Sequence, residues 1–289
     1  MGLLLITRFT LLEALRRRLF LAVLILSVLI IAAFTALLSK LISVSTPVDG
    51  LSPRLFFLGT GVVITVLVIW MLYLLCSALT IIFTANMISG EVEAGTFAVI
   101  VPKPLRRAEI VLGKWLGYAL IICLYTALMF FAFLAVIYWQ TGYWPTQAPY
   151  ALALLELVML ALLGITTLCS TLVPTIVTGA IALMLFIGAP TASIVQFIVR
   201  FVKPEALQSV QNITTLINLI IPTDALWHGV SYYLLPPIAD FAVLGLGSQS
   251  FDTPFTSQQQ IAPALLIWVI LYCIALPILA AFRFQRRDL

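Results

Sequence analysis

Charge is the scarcest property of this 289-residue sequence: Asp, Glu, Lys and Arg together make up 9% of it, and histidine occurs once. A soluble globular domain carries about a quarter charged residues. With 63% hydrophobic residues and a mean hydropathy of +1.18, the chain falls outside that class. It reads as an all-α polytopic membrane protein, and its length allows about one membrane domain, residues 1–289, with little left for a soluble unit. Cysteine is scarce too. Cys76, Cys123, Cys169 and Cys273 fall in four different apolar stretches, with no pair at CxxC spacing. That excludes a zinc site or disulfide framework and leaves four small buried hydrophobes. A cleavable leader is not expected, because the apolar run 19–38 exceeds a signal core and no small-x-small site follows it.

What is present is a set of long apolar runs. A bilayer core of about 30 Å needs roughly 20 apolar residues in a helix, since backbone polar groups must be satisfied within the segment. Six stretches qualify, at about 19–38, 57–84, 110–138, 151–172, 175–199 and 261–282. The fourth and fifth are separated by argument, because no charge occurs between Glu156 and Arg200. One helix through those 43 residues would be about 64 Å long, twice the bilayer. The run Ser170-Thr171-Leu172-Val173-Pro174 supplies the breaker, so the stretch is a tight helical hairpin.

Basic residues set the orientation. With six spans and both termini cytoplasmic, the inner segments hold Arg8, Arg16, Arg17, Arg18, Lys103, Arg106, Arg107, Lys114, Arg283, Arg286 and Arg287, eleven of the 15 basic residues. The outer segments hold only Lys40, Arg54, Arg200 and Lys203. The basic balance therefore reports topology rather than a nucleic-acid partner. A seventh span at 229–247 is rejected, because Pro236, Pro237 and Asp240 lie inside it and it would turn the C-terminal arginines outward. Residues 200–260 are then one outer segment. Its part from Glu205 to Ile221 has helical apolar spacing and is expected at the outer interface, while Gly245 to Gln260 reads as loop. Tyr138, Trp139, Tyr143 and Trp144 form an expected interfacial belt. Leu3 to Leu19 reads as an amphipathic elbow on the cytoplasmic leaflet.

The most informative segment is the cytoplasmic loop 85–109 with its flanks, Asn86 to Lys114. It holds seven charges: Glu91, Glu93, Lys103, Arg106, Arg107, Glu109 and Lys114. Ser89-Gly90-Glu91 can start a short helix, with Glu91 and Glu93 near its positive N-terminus. Pro102 and Pro104 interrupt it, and a new helix begins near Arg106. A charged helical knuckle of this kind suits docking to a soluble partner.

The string Gly90-Glu91-x-Glu93-x-Gly95-Thr96, then Pro104-Leu105-Arg106-Arg107, then Gly113-Lys114, resembles the signature of the type-2 ABC exporter permeases. The elbow, the six spans, the long segment before the last span and Pro222-Thr223-Asp224-Ala225 are similar to that family as well. The resemblance implies a transmembrane permease subunit of an exporter in the cell membrane, whose loop between spans two and three docks on an ATP-binding subunit. It assigns ATPase coupling to Glu91, Glu93, Gly95 and Thr96, with Arg106 and Lys114 in support. It also implies two ATPase copies carrying ATP and Mg, a second permease chain (a homodimer or a paralogue), and no cofactor on this chain. The alternative explanation of the loop is a solvated, positive-inside connector. That accounts for its basic residues but not for Glu91, Glu93 and Gly95-Thr96. The Gly90-to-Gly95 spacing mimics the start of a phosphate loop, but no Lys follows Gly95 and two glutamates would face the phosphates.

Glu156 is the only carboxylate inside an apolar span, which makes it a candidate for translocation or gating. It lies shallow enough to reach the headgroups instead. Asp224 and His228 share a helix face but are too few for a metal site, and read as a capping Asp and an interfacial His. Asn212-Ile213-Thr214 matches a glycosylation sequon that is common by chance. Gly164, Thr166, Thr167, Ser170, Thr171, Thr178 and Gly179 serve either close helix packing or a polar path. A stand-alone membrane enzyme would need intramembrane Ser/His, His/Glu or Asp pairs, and no such catalytic set is present. A secondary transporter would need coupling carboxylates near mid-bilayer, which are absent as well.

Overall fold

The computed structural model describes residues 2–16, 18–44, 52–93, 107–202, 207–237, 255–257 and 259–286. Ten α-helices occur among them: α1 Gly2–Arg16, α2 Arg18–Val44, α3 Pro53–Ala85, α4 Ser89–Glu93, α5 Arg107–Thr141, α6 Ala148–Leu172, α7 Thr175–Val202, α8 Leu207–Ile220, α9 Thr223–Leu234 and α10 Pro263–Gln285. Six of them, α2, α3, α5, α6, α7 and α10, are long and apolar enough to cross a membrane. They cover the six apolar runs of the sequence.

Local chemistry explains where these helices begin and end. Ser52 Oγ accepts from the Leu55 amide at 3.4 Å and Pro53 follows it, a side-chain cap with proline in the first turn. Gly142, at φ +76°, closes α5 in a conformation only glycine adopts without strain, and its amide donates to Tyr138 O at 2.9 Å. Val173 is extended ahead of Pro174, so α6 stops and α7 starts two residues later. The hairpin expected at 170–174 is there.

Helix α6 is the centre of the bundle. It packs against α3, α5, α7, α9 and α10, and it is the most buried span, whereas α2 and α7 are the least. Its buried face, from Ala151 through Leu155 and Met159 to Leu163, meets Ile69, Tyr73 and Cys76 of α3 and Met129, Phe130 and Phe133 of α5. At one end, α1 lies along α5. A Cβ on Gly113 would come within 2.8 Å of Ile6 Cγ2, and one on Gly117 within 2.8 Å of Thr10 Cβ. Thr7 Oγ1 also donates to Gly113 O at 3.1 Å.

At the opposite end, α9 is largely buried while α8 keeps most of its surface exposed. Ile221, at their turn, packs with Ile165, Ala189 and Leu276. Ile165 is 17 residues into α6 and Leu276 is 13 into α10, so the turn lies about 26 Å and 20 Å along those spans. The pair is a hairpin whose turn reaches in among the spans, re-entrant in that sense. Tyr272 Oη donates to Ile220 O at 2.6 Å and Trp268 Nε1 to Leu219 O at 3.0 Å, covering the last carbonyls of α8.

The belt of aromatics is also divided. Tyr138, Trp139 and Trp144 are exposed, but Tyr143 is buried and donates to Leu234 O at 2.7 Å. It fastens the C-terminal end of α9 to the α5–α6 connection. Asp224, read from the sequence as a cap, lies in the first turn of α9. It is 2% exposed, hydrogen-bonded by Ser193 Oγ, and 3.5 Å from His228 Nδ1.

Candidate functional site

The candidate site is built around α4, at the end of the bundle where α1, the α6–α7 turn and the end of α10 also lie. Five residues make less than two turns of helix, so α4 cannot stand on its own hydrogen bonds. Tertiary contacts hold it. Met87 and Ile88, just before it, are buried with Ile110 and Val111 of α5 and Ala280, Ala281 and Phe284 of α10. Lys114 Nζ donates to Met87 O at 3.1 Å, fixing the same turn to α5.

The start of α4 is capped from the end of α6, and the start of α7 from the end of α4. The amides of Ile88 and Ser89 donate to Ser170 Oγ, near the end of α6, at 3.2 and 3.4 Å. The amide of Thr175, the first residue of α7, donates to Glu93 Oε1 at 2.9 Å. The first amides of a helix have no partner within it and carry its positive dipole end, so a carboxylate there is favoured on both counts. Ser89 Oγ and Thr175 Oγ1 lie 2.9 Å apart in a hydrogen bond, and Thr175 Oγ1 donates to Asn86 Oδ1 at 3.5 Å. Ser89 and Ser170 are buried, whereas Glu93 is exposed. The knot is therefore buried at its base and open to solvent at its acidic tip.

The sequence-selected residues separate on this geometry. Glu93 and Lys114 belong to the knot, Lys114 as a tether to the Met87 carbonyl. Glu91 is in α4, with its side chain outside the described residues, as are Gly95, Thr96 and Arg106 altogether. Glu156 is elsewhere. It lies on α6, nearer the other end, beside the Cys123 thiol, with Oε2 buried and lacking a hydrogen-bond partner among the described residues. It thus turns inward rather than reaching out to the headgroups.

Sequence reasoning missed Asn86, Ser89, Ser170 and Thr175 as partners. The one signal available is the hydroxyl cluster beside Pro174, which the sequence offers for chain breaking and for either close packing or a polar path. What the arrangement can do is mechanical. A force applied to α4 reaches α5 through Lys114, α10 through the Phe284 cluster, and α6 and α7 together through Ser170 and Thr175.

Comparison with known proteins agrees with this picture of a membrane subunit. The model of a family described as "ABC-2 family transporter protein" matches residues 6–289, nearly the whole chain. No curated protein matches it.

Proposed function

The chain belongs to the ABC-2 transporter family, and from that premise we propose that it is the permease subunit of an ATP-driven exporter, with α4 as the element that receives the ATPase stroke. The membership makes it a multi-pass transport subunit that works with an ABC ATPase rather than an enzyme in its own right. In this reading α4, both termini and the α6–α7 turn are cytoplasmic, and the membrane is the cell membrane. Two such chains, identical or paralogous, work with two ATPase subunits that carry ATP and Mg. Glu91, Glu93, Gly95 and Thr96 meet the ATPase, with Arg106 and Lys114 holding the loop. Helix α1 rests on the cytoplasmic leaflet through its exposed Leu4, Leu5, Phe9 and Leu12. Glu156 has a place in translocation or gating, as the ionisable group turned into the bundle.

The observation that carries the reading is the way α4 is capped onto the α6–α7 turn: Ser170 of α6 accepts from the amides entering α4, and Glu93 of α4 accepts from the first amide of α7. A mere connector has no need to be hydrogen-bonded to the turn between two other spans, whereas a lever does. The test is co-purification in mild detergent followed by an ATPase assay. Wild type is expected to bring down a soluble chain with a phosphate loop, and Glu91→Arg with Glu93→Arg to lose it. Ser170→Ala, away from the docking tip, keeps the ATPase bound but weakens its dependence on transport. If no ATPase accompanies the wild-type chain from cells that express its partner, the proposal fails.

A further inference from the structure

The re-entrant hairpin encloses a cleft of about 580 Å³ between α7, α8, α9 and the segment leading into α10. It begins near Arg200, Gln211 and Gln260 and includes Ser193, Asn218 and Asp224. From Gln211 to Asn218 it follows α8 for about 10 Å at 1.5 Å per residue. Its volume is that of a small-molecule site, but its chemistry is unusual for this chain. Helix α8 is amphipathic in the sense a lipid environment demands. Gln211, Thr214 and Asn218, at i, i+3 and i+7, line the cleft, while Ile213, Leu216 and Ile220 are exposed on the other side. A helix that only packed in the membrane would have no use for that polar stripe.

We propose that this cleft binds a neutral glycosyl group, of one or two sugar units. Five carboxamides face it: Gln196, Gln211, Asn218, Gln259 and Gln260. A carboxamide carries an NH₂ donor and a carbonyl acceptor side by side, the pairing that neighbouring sugar hydroxyls, themselves donors and acceptors, can satisfy; Gln260 Nε2 already donates to Tyr233 Oη at 3.1 Å. Asn218 lines the cleft, and its Oδ1 is buried without a hydrogen-bond partner among the described residues, an acceptor that a side-chain rotation would turn toward a ligand hydroxyl. The charges lining the cleft offset each other. Arg200 stands on α7, Asp224 on α9, and Asp224 already faces His228 and Ser193. A polyanion would find one arginine and a repelling carboxylate, and a simple cation would compete with contacts that Asp224 has already made. An apolar ligand would strand the amides.

The glycosyl group can arrive free in water or on a lipid, because the cleft is open while α8 turns its apolar face outward. Both sources are tested on the full chain in nanodiscs free of sugar-headed detergent. Saturation-transfer NMR with cellobiose is expected to show saturable binding with a Kd of about 1 mM or tighter. Gln211→Ala with Asn218→Ala, and separately Gln196→Ala, should weaken it about tenfold or more at unchanged thermal midpoint. Native mass spectrometry from nanodiscs containing a diglucosyl diacylglycerol reads the lipid arm. Retention of that lipid by wild type and not by the variants, without cellobiose binding, assigns the same site to a lipid-borne glycan. The proposal is overturned if neither probe binds, if the variants bind as wild type does, or if lysine or choline displaces the sugar as well as a second sugar does. The site does not depend on the ATPase reading, and the cleft variants should still co-purify the ATPase wherever wild type does.

Discussion

A single oxygen, Ser170 Oγ, accepts from two backbone amides that otherwise have no helical partner. Ser170→Ala leaves both amides buried and unpaired, at a cost of about 1–3 kcal/mol. The expected outcome is a lower thermal midpoint for the purified chain than for Ser43→Ala, whose hydroxyl is exposed and bonds only within its own helix. Glu93 makes a subtler case because it is solvent-exposed, and its bond to Thr175 acts as a cap. Glu93→Gln keeps an acceptor there and should leave local protection of α7 nearly unchanged. Glu93→Ala should cost about 1 kcal/mol, as lost caps do, and speed hydrogen exchange at the Thr175 amide roughly fivefold. Equal exchange in wild type and Glu93→Ala would mean that the cap contributes nothing in solution. The sequence singled out Glu93 by its place in a charged loop, but the partner is 82 residues away along the chain. Nothing local announces a contact at that separation. Ser170 could be read only as part of a breaker, because a hydroxyl near a proline has many local uses.

Between elements, the contact of α1 with α5 is set by Gly113 and Gly117, four residues apart and so on one face of the helix. Each would clash with α1 if it carried a Cβ. Gly117→Leu should therefore lift α1 from α5 while leaving the six spans in place. The check is limited trypsin digestion in detergent, since the Arg16–Arg18 cluster lies where α1 meets α2. Faster cleavage there in the variant is the expected result; an unchanged rate would show that α1 is held by something other than this seam. The existence of the six spans was legible because hydropathy over 20 residues leaves few alternatives. The hairpin α8–α9 was not. Its apolar spacing shows which face of α8 is greasy, but the same stripe serves a helix lying on a bilayer and one dipping into it. Only the contacts of Ile221 with α6, α7 and α10 distinguish the two. Of the rejected span at 229–247, the described part leaves the helix after Leu234, with Leu235 extended, and 238–247 lie outside the described residues.

For the whole molecule, the uneven burial of the spans carries information about assembly. Helix α6 is enclosed by its own chain, whereas α2 and α7 turn most of their surface outward. Lipid accounts for α2, whose exposed side chains include Ile25, Leu26, Val28, Leu29 and Leu37. Helix α7 is different. Beside exposed Leu183, Met184 and Ile187 it presents exposed Thr191, and a Cβ on Gly188 would meet nothing within 4 Å. Small and hydroxylated residues on an outward face allow another helix to approach closely, which is how helices associate where the hydrophobic effect gives no drive. In the proposed assembly, a second permease chain is therefore expected against this part of α7. Gly188→Leu should fill the open space and shift the protein mass in light scattering from two chains of 31.8 kDa toward one. Val28→Leu on α2, an equally exposed span position, should leave the mass unchanged. A dimer that tolerates Gly188→Leu and dissociates with Val28→Leu would place the seam on the first span, and would separate the partner chain from the helix that Glu93 caps.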